Sequence, residues 1–136
     1  MLKKKYTCVK VDQQKDGITW VTFNRPEKRN AMSPQLHYDM DDALAELAVD
    51  TDTQVLVLTG AGAAFSAGQD LKLYFRDTAD NPAERRRSNE AAHSWFYQRL
   101  TTFPKPTIAM VNGYCFGGEF TPLVACDIAI AAEGNF

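Results

Sequence analysis

The sequence is short of cysteine and histidine, has no long apolar run and carries no excess of basic charge, and each shortage removes a class of function. Its three cysteines, Cys8, Cys115 and Cys126, are odd in number and lack C-x-x-C spacing. They read as buried thiols rather than as a disulfide framework or a zinc site. The two histidines, His37 and His93, fall singly within predicted helices, with no second ligand or adjacent nucleophile. They read as packing or helix-surface residues, and no metal site is expected. No apolar stretch nears the roughly 20 residues that span a bilayer. The basic start is followed by strand-like alternation, not by the apolar core of a secretion signal. The expectation is a cytoplasmic protein without membrane association. A formal net charge of -2 supplies no basic field for nucleic acid, and Lys3-Lys4-Lys5 and Arg85-Arg86-Arg87 read as solvated faces.

What is present fits one globular unit or part of one: 45% of the 136 residues are hydrophobic and 24% charged, away from the compositions of disordered tails and coiled coils. Thr7 to Asp12 alternates, with Thr7, Val9 and Val11 on one face, and the turn chemistry of Gln13 to Gly17 leads back into the β-branched run Ile18 to Phe23. Ser33-Pro34 sets an N-cap before a first-turn proline, and Leu36, Met40, Ala43, Leu44 and Leu47 follow at helical spacing. Gln54 to Thr59 suits a strand buried on both faces.

A short helical piece is expected near Leu71 to Arg76. A longer helix should open at Asn81-Pro82, with Ala91, Ala92, Trp95, Phe96 and Leu100 as its buried stripe. Pro104 and Pro106 end it, Thr107 to Val111 is a buried strand, a helix runs from about Phe120 towards Cys126, and Ile128 to Ala132 is the next strand. Charged Asp77 to Arg87 reads as a mobile loop. A hairpin followed by strand-helix-strand cycles predicts an α/β protein without internal repeats or an interdomain linker.

Three segments sit where a strand gives way to a loop, the place where open α/β sheets bind ligands. They are Asn24 to Ser33, Ala61 to Leu71 and Asn112 to Phe120. Small residues in the second and third allow a ligand close to the backbone. In the third, the N-H groups of Gly117 and Gly118 should face outward at the start of a helix. Gly113-x-x-x-Gly117-Gly118 is neither G-x-G-x-x-G nor a P-loop, which removes dinucleotides and triphosphates. The glycines alone are equally compatible with a tight turn and close helix packing.

Together the three segments resemble the crotonase (enoyl-CoA hydratase/isomerase) superfamily. Asn24 to Pro34, Thr59 to Arg76 and Lys105 to Ile130, including Tyr74-Phe75-Arg76 and Pro122-Leu123-Val124-Ala125-Cys126-Asp127, look most like its hydroxycinnamoyl-CoA hydratase-lyases. The resemblance implies a crotonase-like ββα spiral of which this chain is the N-terminal part, truncated before the C-terminal strands and helices. It implies a homo-oligomer, a trimer or dimer of trimers, for the full-length form. It also implies an acyl-CoA thioester as substrate and no cofactor beyond that CoA.

Carried over by position, the resemblance places an oxyanion hole at the main-chain N-H groups of Gln69 and Gly118. It assigns Lys28, Ala31, Ala67, Gly68, Gln69, Asp70 and Leu71 to CoA contacts, and Gly117, Gly118, Glu119 and Phe120 to substrate or CoA binding. Arg25 and Arg29 are further loop cations for that work or solvated charges. Tyr74 either reaches the acyl group with its phenol or packs on the core. Thr121 falls where enoyl-CoA hydratases have the first catalytic glutamate and hydratase-lyases a serine; it retains a hydroxyl that would orient water but not deprotonate it. Glu119 departs from the family's usual glycine. At about 100° per helical residue it points roughly 200° from Thr121, which makes it a poor geometric substitute for the missing glutamate and favours a structural or solvent-facing role. Ala131 to Phe136 resembles the segment preceding the second glutamate, the general acid/base, which is therefore expected beyond Phe136. Asp70 and Asp127 match structural positions.

Overall fold

The structure, a computed structural model, describes residues 4–117 and 120–133. A hairpin opens it. β1 (Val9–Gln13) runs antiparallel to β2 (Ile18–Phe23), with Val11 opposite Val21. Gly17 makes the turn at φ +90, a conformation that favours glycine, and its N-H donates to Gln14 O at 3.2 Å. From β2 onward all pairing in this sheet is parallel. β3 (Val55–Gly60) lies beside β2, β5 (Thr107–Val111) beside β3, and β7 (Ile128–Ala131) beside β5, giving the order β1-β2-β3-β5-β7. Two short strands, β4 (Ala64–Ser66) and β6 (Tyr114–Cys115), form a separate parallel pair.

Helices connect the parallel strands. α1 (Pro34–Val49) begins where Ser33 Oγ accepts from Leu36 N at 3.2 Å, and its five predicted stripe residues are all fully buried. Asp39 joins them, accepting from Cys8 N at 2.8 Å. α2 (Pro82–His93) widens into a π-type turn over Ser94–Arg99, where Leu100 N reaches back to Trp95 O at 3.2 Å. α3 (Phe120–Ala125) precedes β7. The core lies between sheet and helices, with Phe23, Leu44, Leu56, Leu58 and Trp95 among its fully buried side chains. Burying each such side chain stabilises the fold by about 1.5–3 kcal/mol.

The α/β class and the order of the predicted elements agree with the sequence reading; β4 and β6 lie in segments read as loops and were not anticipated, and three further details differ. Thr7 is exposed while Cys8 is buried, because the ladder starts at Val9 and the Cys8 N-H is drawn to Asp39. The segment 77–87 is not a loop throughout: helix α2 starts at Pro82, capped by Asn81 Oδ1 accepting from Glu84 N at 3.2 Å. Arg85, in the middle of the charged run, donates to Phe75 O at 2.7 Å. Cys115 and Cys126 are half-buried rather than buried, and no disulfide joins the three cysteines. No helix among the described residues is long and apolar enough to cross a membrane.

Candidate active site

The three segments read from the sequence converge at the ends of β2, β3 and β5, and two asparagines hold them together. Asn30, fully buried and in the left-handed region at φ 58, accepts from Arg25 N at 2.9 Å. It donates to Ala61 O and Ala64 O at 2.9 and 2.8 Å. Asn112 accepts from Gly60 N at 3.1 Å and donates to Gly62 O at 3.0 Å. The packing is close: a Cβ on Gly113 would lie 1.9 Å from Ala63 O. Ser66 adds a further tie, donating to Asn30 O at 2.6 Å and accepting from Gly68 N at 3.2 Å.

This frame presents an extended strand segment edge-on. Met32 N donates to Gly68 O at 2.7 Å and Asp70 N donates to Met32 O at 2.9 Å, a parallel bridge centred on Gln69. Backbone polar groups alternate in direction along an extended strand. With residues 68 and 70 bonded to Met32, the N-H of Gln69 is turned to the opposite edge. It has no acceptor among the described residues. Gly68, at φ +90, permits the close approach of the third segment, since a Cβ there would lie 2.9 Å from Phe116 O.

Gln69 also lines a cleft of about 620 Å³. Lys28, Ala31, Ala67, Gly68, Gln69, Asp70, Leu71 and Gly117 line it, all predicted from the sequence. Phe116 and Lys72 also line it and were not anticipated, although Lys72 lies next to a predicted stretch. Lys28 and Lys72 are both exposed and give the rim two cations. A second groove of about 730 Å³ lies between the N-terminal segment and α1 and α2. Four of its charges pair with one another, Lys4 with Asp42 at 2.7 Å and Arg99 with Asp41 at 2.6 Å.

Other predicted residues fall away from the wall. Tyr74 is buried, its hydroxyl donates to Asn89 Oδ1, and its ring packs edge-on to His37 at 5.2 Å, so it sits as a core aromatic. Thr121 is half-buried in the first turn of α3, off the cleft lining. Gly118 and Glu119 lie outside the described residues, as do the side chain of Phe120 and residues 134–136.

Arg25 is neither a phosphate ligand nor a solvated charge. It is 8% exposed, donates from both terminal nitrogens to Asp70 Oδ2 at 3.2 Å, and also donates to Ala31 O. Asp70 in turn accepts from Lys72 N and Leu73 N at 3.1 and 2.9 Å. Burial alone would raise its carboxyl pKa; the Leu73 N-H and the Arg25 guanidinium outweigh that and hold it below the usual carboxylate range. Asp127 is likewise structural, accepting from Thr107 N at 2.9 Å. Sequence reasoning gave no role to His37 beyond packing, yet its Nε2 lies 2.8 Å from Gln69 Oε1. Its position on the Leu36, Met40 and Leu44 stripe was the available signal.

The arrangement offers an unpaired main-chain donor, small-residue walls and a basic rim, which suits an anionic ligand with a carbonyl to polarise. Residues 13–135 match the family model described as enoyl-CoA hydratase/isomerase. The hydroxycinnamoyl-CoA hydratase-lyase of Pseudomonas fluorescens is 52% identical over 130 residues, covering 95% of this chain and 47% of that protein. A 4-chlorobenzoyl coenzyme A dehalogenase of Arthrobacter sp is 36% identical over 122 residues, covering 87% of this chain and 43% of its own. Among solved structures, an enoyl-CoA hydratase from Bacillus anthracis superposes with a TM-score of 0.82 at 30% identity, covering 95% of this chain and 49% of that one. The chain thus spans about half the length of the curated relatives it matches. Matched in sequence and in fold along nearly all of its residues, it belongs to the crotonase, or enoyl-CoA hydratase/isomerase, family.

Proposed function

We propose that this chain supplies the acyl-CoA cleft and one half of the oxyanion hole of a hydroxycinnamoyl-CoA hydratase-lyase, with feruloyl-CoA as a representative substrate. The Gln69 N-H, turned from Met32 on a residue that lines the cleft, carries the proposal. Gly118 N-H is its proposed partner. Similarity to the hydratase-lyase of Pseudomonas fluorescens supports the choice of acyl group.

Polarising the thioester carbonyl lets the acyl chain accept an electron pair. Water adds across the double bond: its oxygen bonds to Cβ, the thioester holds the electrons as an enolate, and Cα then takes a proton. Loss of the β-hydroxyl proton breaks the Cα-Cβ bond, releasing a hydroxybenzaldehyde and the enolate of acetyl-CoA, which is protonated in turn. One pair of donors serves both steps, and each donor is worth about 3 kcal/mol, roughly a hundredfold in rate.

Lys28 and Lys72 hold CoA phosphates at the rim as mobile ammonium groups. Thr121, off the lining of this cleft, is assigned the water only by its position in the resemblance, and proton transfer falls to another residue. The reaction needs no metal or redox cofactor. The setting is cytoplasmic, and the assembly is a homo-oligomer, a trimer or dimer of trimers.

Incubating feruloyl-CoA with this chain, and with a form extended beyond Phe136, tests the proposal. Hydroxybenzaldehyde and acetyl-CoA are the products expected from the competent form. Accumulation of the hydroxyacyl-CoA alone, from both forms, would replace the lyase with a hydratase of other specificity. No turnover with retained acyl-CoA binding in both would reduce it to a binding module.

A further inference from the structure

Gln69, whose main-chain N-H is turned from Met32, is also held by its side chain. Trp95 Nε1 donates to His37 Nδ1 at 3.0 Å, and His37 Nε2 lies 2.8 Å from Gln69 Oε1. An indole N-H can only donate, so Nδ1 of the imidazole must accept. The neutral ring then carries its proton on Nε2 and donates it, and the Gln69 atom that receives it must be the carboxamide oxygen. Both His37 and Trp95 are fully buried, and the imidazole is wedged edge-on between Tyr74 at 5.2 Å and Phe96 at 5.6 Å. Burial pushes its pKa down to about 4, against the opposing hydrogen bond to Gln69, so it stays neutral through the physiological range. Gln69 is half-buried at the cleft wall, and its carboxamide nitrogen has no acceptor among the described residues.

We propose that His37 and Trp95 are positioning residues for Gln69: they grip its carboxamide by the oxygen, fix the direction of its main-chain N-H, and leave the carboxamide N-H2 to be offered to an oxygen acceptor on a bound acyl thioester. Gln69 is thereby anchored from two sides, by Met32 through the main chain and by His37 through the side chain. The grip rests on the acyl-CoA reading for its use but not for its existence. Trp95 sits 58 residues from His37 in the chain, in the π-type turn, so the widened turn brings the indole N-H to the imidazole.

The test has a ligand-free arm and a ligand arm, both on the full chain. In ¹⁵N spectra, His37 is expected to show an unprotonated Nδ1 and a protonated Nε2. His37→Leu should shift and broaden the main-chain and carboxamide signals of Gln69, and His37→Gln, which restores a donor, should return them. A proton on Nδ1, or Gln69 signals indifferent to His37→Leu in a folded protein, overturns the proposal whether or not any ligand binds. In the second arm the probes are saturated hydroxyphenylpropionyl-CoA and a thioether analogue with a methylene in place of the carbonyl.

Wild type should favour the thioester by about tenfold. His37→Leu should lose most of that preference with free CoA affinity unchanged, and Gln69→Glu, which keeps the acceptor but removes the N-H2 donors, should lose part of it. An unchanged preference in both variants overturns the proposal. Absence of binding to either probe in wild type, with the ¹⁵N pattern intact, refutes the acyl-CoA reading and with it the proposed recognition of an acyl oxygen.

Discussion

The wall of the cleft and the far edge of the sheet are held to different degrees. Around the cleft, Asn30, Asn112, Ser66 and the Arg25-Asp70 pair lock three loops with directional bonds, most of them shielded from water. At the far edge, β7 is tied by its ladder to β5 and by Asp127 to Thr107, while Val124, Ile128 and Ile130 stand 76%, 53% and 50% exposed. Both regions rely on hydrogen bonds, which fix direction, but those around the cleft are more numerous and better shielded. The chain concentrates directional bonds around Gln69, the residue to which the proposal assigns the oxyanion N-H.

The sharpest way to break that contrast is Asn30→Ala. It strips partners from one buried N-H and two carbonyls at a left-handed position, and should cost about 3–5 kcal/mol. The urea midpoint reads it; a loss as small as that of an exposed substitution would mean the loops are not locked by Asn30.

Next in size is the pH dependence set by His37. In the unfolded chain its imidazole binds a proton below about pH 6.5, but in the fold not until about pH 4. Between those values the unfolded state holds more protons, so the contribution is complete above pH 6.5 and is lost as pH falls through 4. The change is about 3 kcal/mol. Denaturant titrations across this window should show it in wild type, and His37→Gln should flatten it.

Smaller again, Lys28→Ala and Lys72→Ala should each weaken CoA binding by about 1 kcal/mol, roughly fivefold, and less as salt rises. Calorimetry at two ionic strengths checks this. Least in energy, Ile128→Lys should change stability by no more than about 0.5 kcal/mol while raising the soluble concentration, because it places a charge on an exposed apolar strand.

The parts legible in the sequence were those whose causes are local. Ser33-Pro34 and the Leu36 to Leu47 stripe specify α1 within one helix, and Ile18 to Phe23 and Thr107 to Val111 match observed strands to the residue. The cleft lining was legible through resemblance over contiguous motifs. Arg25 was not, because Asp70, its partner, lies 45 residues away, and a loop arginine in isolation reads as solvated. His37 was missed for the same reason, its partners lying 32 and 58 residues on. The run at 77–87 misled because a polar helix and a charged loop have nearly the same composition; the Asn81 cap and first-turn Pro82 were the better guide.

The most direct measurement is the amide resonance of Gln69 in ¹⁵N-labelled full chain, titrated with feruloyl-CoA and with its carbonyl-free thioether analogue. A large downfield proton shift with the thioester and little change with the thioether is predicted, as for an N-H that gains a carbonyl acceptor. Equal responses to the two, or a Gln69 amide that ignores both while the Lys28 region responds, would contradict the oxyanion role.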